Sequence, residues 1–314
     1  SVSMTEVWFV GQLGSSSLAA MALVFPLLML TQTLSAGAMG GAVASAIARA
    51  LGAGEPQRAE QLIWHALALA VIGALLLFTL FWVFGAAFLR FLGGNSDTLT
   101  EALRYCLVLF SGGVFLWFMG VVSAIYRGMG DMKFPALVMA ASALVQVPLS
   151  AALVLGAFGA PQLGIVGAAV SAVVTAFLLS GIMILRLIIG STAIKIRRSR
   201  FGFEPQHFRE ILNVALPASL SPILTVTSIL CLTAIVGRFG EEALAGYGIG
   251  SRIEFLLIPL VFGIGASMTS LVGMSVGAGN LKRAERIGWV GGMGSALLAG
   301  MIGVSLALFP DFWI

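Results

Sequence analysis

The chain has 314 residues, of which 59% are hydrophobic and only 10% charged, with a formal net charge of +4 and a mean hydropathy of +1.06. Soluble domains carry roughly 25% charged residues, so the composition excludes an ordinary soluble globule and fits a bundle of membrane helices. The 39 glycines suit helices that pack closely in lipid through small residues.

Taken in order, eight apolar stretches reach the length of about 20 residues that a bilayer crossing needs. They span 17–51, 61–92, 102–126, 134–157, 163–190, 211–237, 244–276 and 287–310. The first and seventh are long enough to predict tilt, a kink or an interfacial extension. Between the stretches lie short Gly-rich connections at 52–56, 93–97, 127–133 and 159–161, which read as turns. The only long polar connection, 191–210, is too polar for lipid and reads as a linker between two halves.

Charge orients the bundle. Strict alternation puts the loops 52–60, 127–133, 191–210 and 277–286 on one side. With their helix ends they hold 13 of the 17 basic residues, leaving Arg90, Arg104, Arg238 and Arg252 on the other, with Glu6, Asp97 and Glu101. That bias marks the cytoplasmic side. It accounts for the basic residues without nucleic acid, which is therefore not expected as a partner.

A repeat is also visible. Val10-Gly-Gln-Leu-Gly with Leu18-Ala recurs as Val236-Gly-Arg-Phe-Gly with Leu244-Ala, an offset of 226. Gly52-Ala-Gly with Arg58-Ala-Glu recurs as Gly277-Ala-Gly with Arg283-Ala-Glu, at an offset of 225. The period holds six helices, an even number, so both copies cross the membrane in the same sense, related by an axis along the membrane normal. Two units of this period need roughly 450 residues, and the chain is therefore expected to be incomplete.

These motifs, with Tyr126-Arg-Gly-Met-Gly-Asp-Met-Lys-Phe-Pro135, Leu163-Gly-Ile-Val-Gly-Ala-Ala169 and Ala215-Leu-Pro-Ala218, resemble the MATE (multidrug and toxic compound extrusion) family along essentially the whole chain. The resemblance implies an all-α polytopic membrane fold of two six-helix lobes, with the present chain covering helices two to nine of twelve. Residues 1–190 are then an N-terminal lobe lacking its first helix, of which Val7–Val10 are the tail. Residues 191–210 are a cytoplasmic linker, and 211–314 the first three helices of a C-terminal lobe.

Ionisable residues at membrane depth are the first place to look for function. Glu254 is the one acid placed well inside an apolar run, about ten residues into the seventh stretch. It could bind a proton, a cation or a cationic substrate, or be a structural charge paired with an arginine. Arg252, two residues away, does not share its helix face. Some family members carry an Asp on the first helix, for which no counterpart is expected here. Others carry Asn and Asp on the fifth, where this chain has Gln146 and Ser150. The stretch 211–237 lacks the acid some members have on the seventh. Gln146 and Ser150 could line a cavity or bond neighbouring helices. Gln32, between Thr31 and Thr33, belongs to a polar cluster of which at most one or two members point inward.

Other constellations are bland. Cys106 and Cys231 read as small core residues. His65 and His207 are too few and too separated for a metal site, and Trp64-His65 reads as an interfacial anchor. No Walker-type phosphate loop is present, and no cluster of His, Asp and Glu marks an intramembrane enzyme. The expected function is efflux of amphipathic, cationic small organic molecules by proton or sodium antiport. It is expected to need no cofactor beyond the coupling ion, to work as a monomer, and to reside in the lipid bilayer of a bacterial inner membrane. The alternative is a flippase for lipid-linked precursors, which would need several cations in the cavity, where only Arg252 qualifies.

Overall fold

The structure is a computed structural model that describes residues 2–92, 96–190, 194, 202 and 204–308; of the helical residues, the side chains of 3, 4, 96, 158, 234, 237, 241–256 and 259 are outside the description. Among the described residues it is built of helices joined by short turns. Seven are long and apolar enough to cross a membrane, and a bent pair makes an eighth crossing.

Helix α1 (Val2–Gly11) turns into α2 (Ser15–Gln32) through Gly14, whose φ of 126° is open to glycine and strained for other residues. A π-helical segment, Thr33–Met39, then joins α2 to α3 (Gly40–Gly52), so the first long stretch is one span with a register shift inside it. The shift has a local cause. Thr31 and Thr33 turn their hydroxyls back onto the carbonyls of Leu27 and Met29, at 2.8 and 2.7 Å, and Ser35 does the same to Gln32. Such back-bonding competes with the backbone ladder and loosens it at this point.

Helix α4 (Pro56–Phe91) begins on a proline, which costs no backbone bond at the first turn. Helices α5 (Ser96–Ser111) and α6 (Gly113–Gly128) are bent by 54° where a straight span over 102–126 was expected. At the bend Gly112 lies against Val173, whose side chain a β-carbon there would overlap.

Helix α7 (Lys133–Leu155) and α8 (Ile165–Ile189) form an antiparallel pair. Its turn is fixed by Leu163 N–H donating to Leu153 O at 2.8 Å and by Gly167, which lets the Leu153 backbone approach. At the other end of the pair Arg186 lies 3.8 Å over the Phe134 ring and 3.7 Å from Asp131. Tyr126, fully buried, donates to Met183 O at 2.9 Å.

The last three helices are α9 (Pro205–Val236), α10 (Glu241–Gly277) and α11 (Leu281–Leu308). All three start earlier than hydropathy alone predicts, α10 at 241 rather than 244. Helix α9 starts at 205 rather than 211, inside the expected linker, and α11 at 281 rather than 287. Their polar first turns extend beyond the apolar stretch; Asn280 caps α11 by accepting from Arg283 N–H at 3.0 Å.

The loops expected on one side do meet there. Arg58 pairs with Glu210, and Gly130 lies 3.2 Å from Met274 when given a β-carbon. At the centre of this side α3 crosses α10. A β-carbon on Gly52 would run into the Met274 carbonyl, and one on Gly277 into the Arg49 carbonyl. Residues 49 and 52 shifted by 225 are 274 and 277, so the contact is its own two-fold image. The repeat seen in sequence therefore appears as a two-fold crossing, the relation expected for a parallel repeat.

Candidate functional site

The second buried cluster of the chain joins α1, α2, α4, α5, α7 and α8, with Phe9, Val10, Cys106, Val154 and Ala168 among its members. Against it stands a carboxylate. Glu6 on α1 is 8% exposed, and its Oε1 accepts a 2.8 Å hydrogen bond from Gln146 Nε2 on α7. Ser150, four residues further along the same face of α7, is fully buried, and its hydroxyl has no partner among the described residues.

The Gly167–Leu153 contact sets the register of the antiparallel pair α7 and α8. Carried along it, this register brings Ser171 to the level of Ser150 and Thr175 to that of Gln146. Ser171 is occupied with Ala168 O at 2.8 Å, whereas the buried Thr175 hydroxyl has no partner among the described residues. One carboxylate, one amide and two unengaged hydroxyls are thus held at similar depth on three packed helices.

Burying a carboxylate is costly unless it is protonated or paired. A single amide supplies only part of the solvation water would give. A proton on Glu6 removes the charge; a hard cation would find oxygen donors in Glu6, the Gln146 amide and the two hydroxyls.

Besides Glu254, singled out from the sequence, the structure adds Glu6, a buried carboxylate that the sequence reading places outside the long apolar stretches. Glu6 escapes a span count because it stands outside the eight long apolar stretches, the first of which begins at residue 17. The signal was its position four residues before Val10-Gly11, beside the apolar run Val7–Val10. Of the other expected site residues, Gln32 is exposed where α2 enters the π-helical segment. Arg252 and Glu254 lie on α10, but their side chains are outside the described residues.

The histidines are also corrected. His65 is fully buried rather than interfacial, and its ring lies 5.0 Å from that of His207. Its Nδ1 is 2.7 Å from Gln61 O and its Nε2 accepts from Glu204 N–H at 2.9 Å. The early start of α9 docks His207 and Phe208 on α4, a meeting that sequence separation hides. Among the described residues no group of three or more His, Cys, Asp and Glu could hold a metal ion.

A third polar cluster sits at the basic-loop side. Glu210 on α9 is bracketed by Arg58 at 2.9 Å and Arg49 at 3.4 Å, and Arg58 also reaches Glu55 at 2.9 Å. Nearby, Arg127 donates to Ser123 and Ala36 O and faces the Phe262 ring of α10 at 5.7 Å. Ser270 of α10 donates to Arg127 O at 2.6 Å.

Comparison with known proteins is consistent across sequence and structure. The MatE family model matches residues 1–152 and 217–314. The chain is 28% identical to "Probable multidrug resistance protein NorM" of Thermotoga maritima, covering 98% of this chain and 66% of that protein. It is 26% identical to the "FAD transporter" of Shewanella oneidensis, covering 90% and 63%. A solved structure of a multidrug resistance MATE family transporter in an outward-facing conformation superposes with a TM-score of 0.87 at 26% identity, covering 99% of this chain and 68% of that one. The chain thus spans just under two thirds of the length of the two relatives.

Proposed function

From the premise that the chain belongs to the MatE family, we propose that it exports amphipathic, cationic organic compounds across a bacterial inner membrane by antiport of a proton or a sodium ion. The observation that carries this reading is Glu6, buried between α1 and α7 with one amide and two unengaged hydroxyls. Such a carboxylate changes its net charge when a cation arrives or leaves, and its surroundings decide which state is favoured.

The two halves, residues 1–190 and 211–314, act as lobes that rock about the two-fold crossing, as the parallel repeat suggests. Cation and cationic substrate draw on the same negative charge, so binding of one favours release of the other. That competition is a physical route to antiport. The cycle needs no cofactor beyond the coupling ion, and the protein works in the bilayer as a monomer.

Dye efflux from cells lacking their main pumps tests the reading. Wild type should extrude a cationic dye. Glu6→Gln, at equal expression, should be slower by about tenfold or more, the scale expected when a group that couples binding to a conformational change is lost. Because one relative is named for FAD, an anion, the panel should include it. Efflux of FAD without that of cations would overturn the preference for cationic substrates, and equal dye efflux by Glu6→Gln would overturn the role of Glu6.

A further inference from the structure

Several kinds of contact close the basic-loop side of the molecule, among them the Ser270 bond to Arg127 O. At the centre, the Gly52 and Gly277 contacts press backbone on backbone, with Gly273 also close to Ser45 O and Ala48 on α3. Small-residue packing of this kind gives dispersion contact, but it carries no charge or directed side-chain bond to hold the lobes in one state. Beside it lies a charged contact between the same two lobes.

Resting on the transporter reading above, we propose that Glu210 is a latch: its carboxylate, held by Arg49 and Arg58 of the N-terminal lobe, keeps the cytoplasmic side shut, and its release opens that side to substrate. Arg49 lies on α3, Arg58 on α4 and Glu210 on α9, so one carboxylate ties the first helix of the second lobe to two helices of the first.

The latch is one-sided. In the repeat Arg58 corresponds to Arg283, but Arg49 corresponds to Met274, so the two-arginine bracket has no two-fold image. Contacts on the same stretch of α9 strengthen the docking. Glu204 N–H donates to His65, Gln61 reaches the Glu204 carboxylate at 3.4 Å, and Ile211 and Ala215 are buried in the main core of the first lobe.

Exposure fits a contact that must break. The Glu210 side chain is 17% exposed, against 31% for Arg49 and 41% for Arg58. A fully buried pair would be costly to separate once formed, and a fully exposed one would hold little. A half-buried bracket stands between, stable enough to bias the closed state and accessible to the water that would replace it.

Ser270→Cys supplies the reporter, in a background with Cys106 and Cys231 replaced by alanine. Ser270 is 1% exposed and bonds across the lobes to Arg127 O. In inside-out vesicles a membrane-impermeant maleimide should label it slowly. Glu210→Gln should speed labelling about fivefold, a size that loss of a partly buried ion pair supports. Arg58→Gln should give a smaller rise, and Arg58→Lys, which keeps the charge facing Glu210 and Glu55, should stay closer to the wild-type rate than Arg58→Gln.

Unchanged labelling in both Glu210→Gln and Arg58→Gln would overturn the latch. So would labelling of Arg58→Lys as fast as that of Arg58→Gln, in protein that elutes as a single folded species. Labelling needs no substrate, so the transporter reading is judged separately by dye efflux. Faster labelling without efflux in wild type would leave the latch standing and the transporter reading overturned.

Discussion

At Glu6 a carboxylate faces one hydrogen-bond donor, Gln146, where water would offer several. Replacing Gln146 by leucine keeps the volume and removes that donor. The buried carboxylate would then be unsatisfied, at a cost of about 1–3 kcal/mol. Thermal unfolding of purified Gln146→Leu should show a lowered Tm, and a cation that binds at Glu6 should recover less of it than in wild type. A Tm equal to that of wild type would mean that the 2.8 Å bond contributes nothing. The Ser150 and Thr175 hydroxyls are buried and without a hydrogen-bond partner among the described residues.

Among the elements, the bend between α5 and α6 gives a clean contrast. Gly112 lies against Val173, whereas Gly113 has nothing within 4 Å of where its β-carbon would stand. Gly112→Ala should cost about 1–3 kcal/mol through overpacking, while Gly113→Ala should be close to neutral. The two Tm values test this, and an equal response would show that Val173 yields. The elements also mark how far hydropathy reads. The apolar cores of the spans were legible because lipid demands them. The polar first turns of α9 and α11 were not, since they lie beyond the lipid and are helical through capping and docking. The register shift at Thr33–Met39 follows from back-bonding hydroxyls that hydropathy does not weigh. In the candidate site Gln146 and Ser150 were legible as polar residues on a membrane helix. Their partner Glu6 was not, because it stands outside the long apolar stretches, and His65 and His207 meet only through tertiary docking.

For the whole molecule, two glycine contacts related by a shift of 225 residues place the repeat axis between α3 and α10. A parallel repeat keeps the equivalent loops on one face of the membrane. Cysteines introduced at Gln57 and Asn280, both exposed, should react with an impermeant reagent from the same side. Labelling from opposite sides would contradict the architecture. The central claim, that a buried carboxylate on α1 couples a cation gradient to export, is met most directly in proteoliposomes. Purified wild type and Glu6→Gln would be compared under an imposed proton or sodium gradient, with cationic substrate loaded on the cytoplasmic side of the protein. The account predicts gradient-driven substrate movement in wild type that collapses when the gradient is dissipated and is absent in Glu6→Gln. Transport by Glu6→Gln at the wild-type rate, or wild-type transport indifferent to both gradients, would contradict it.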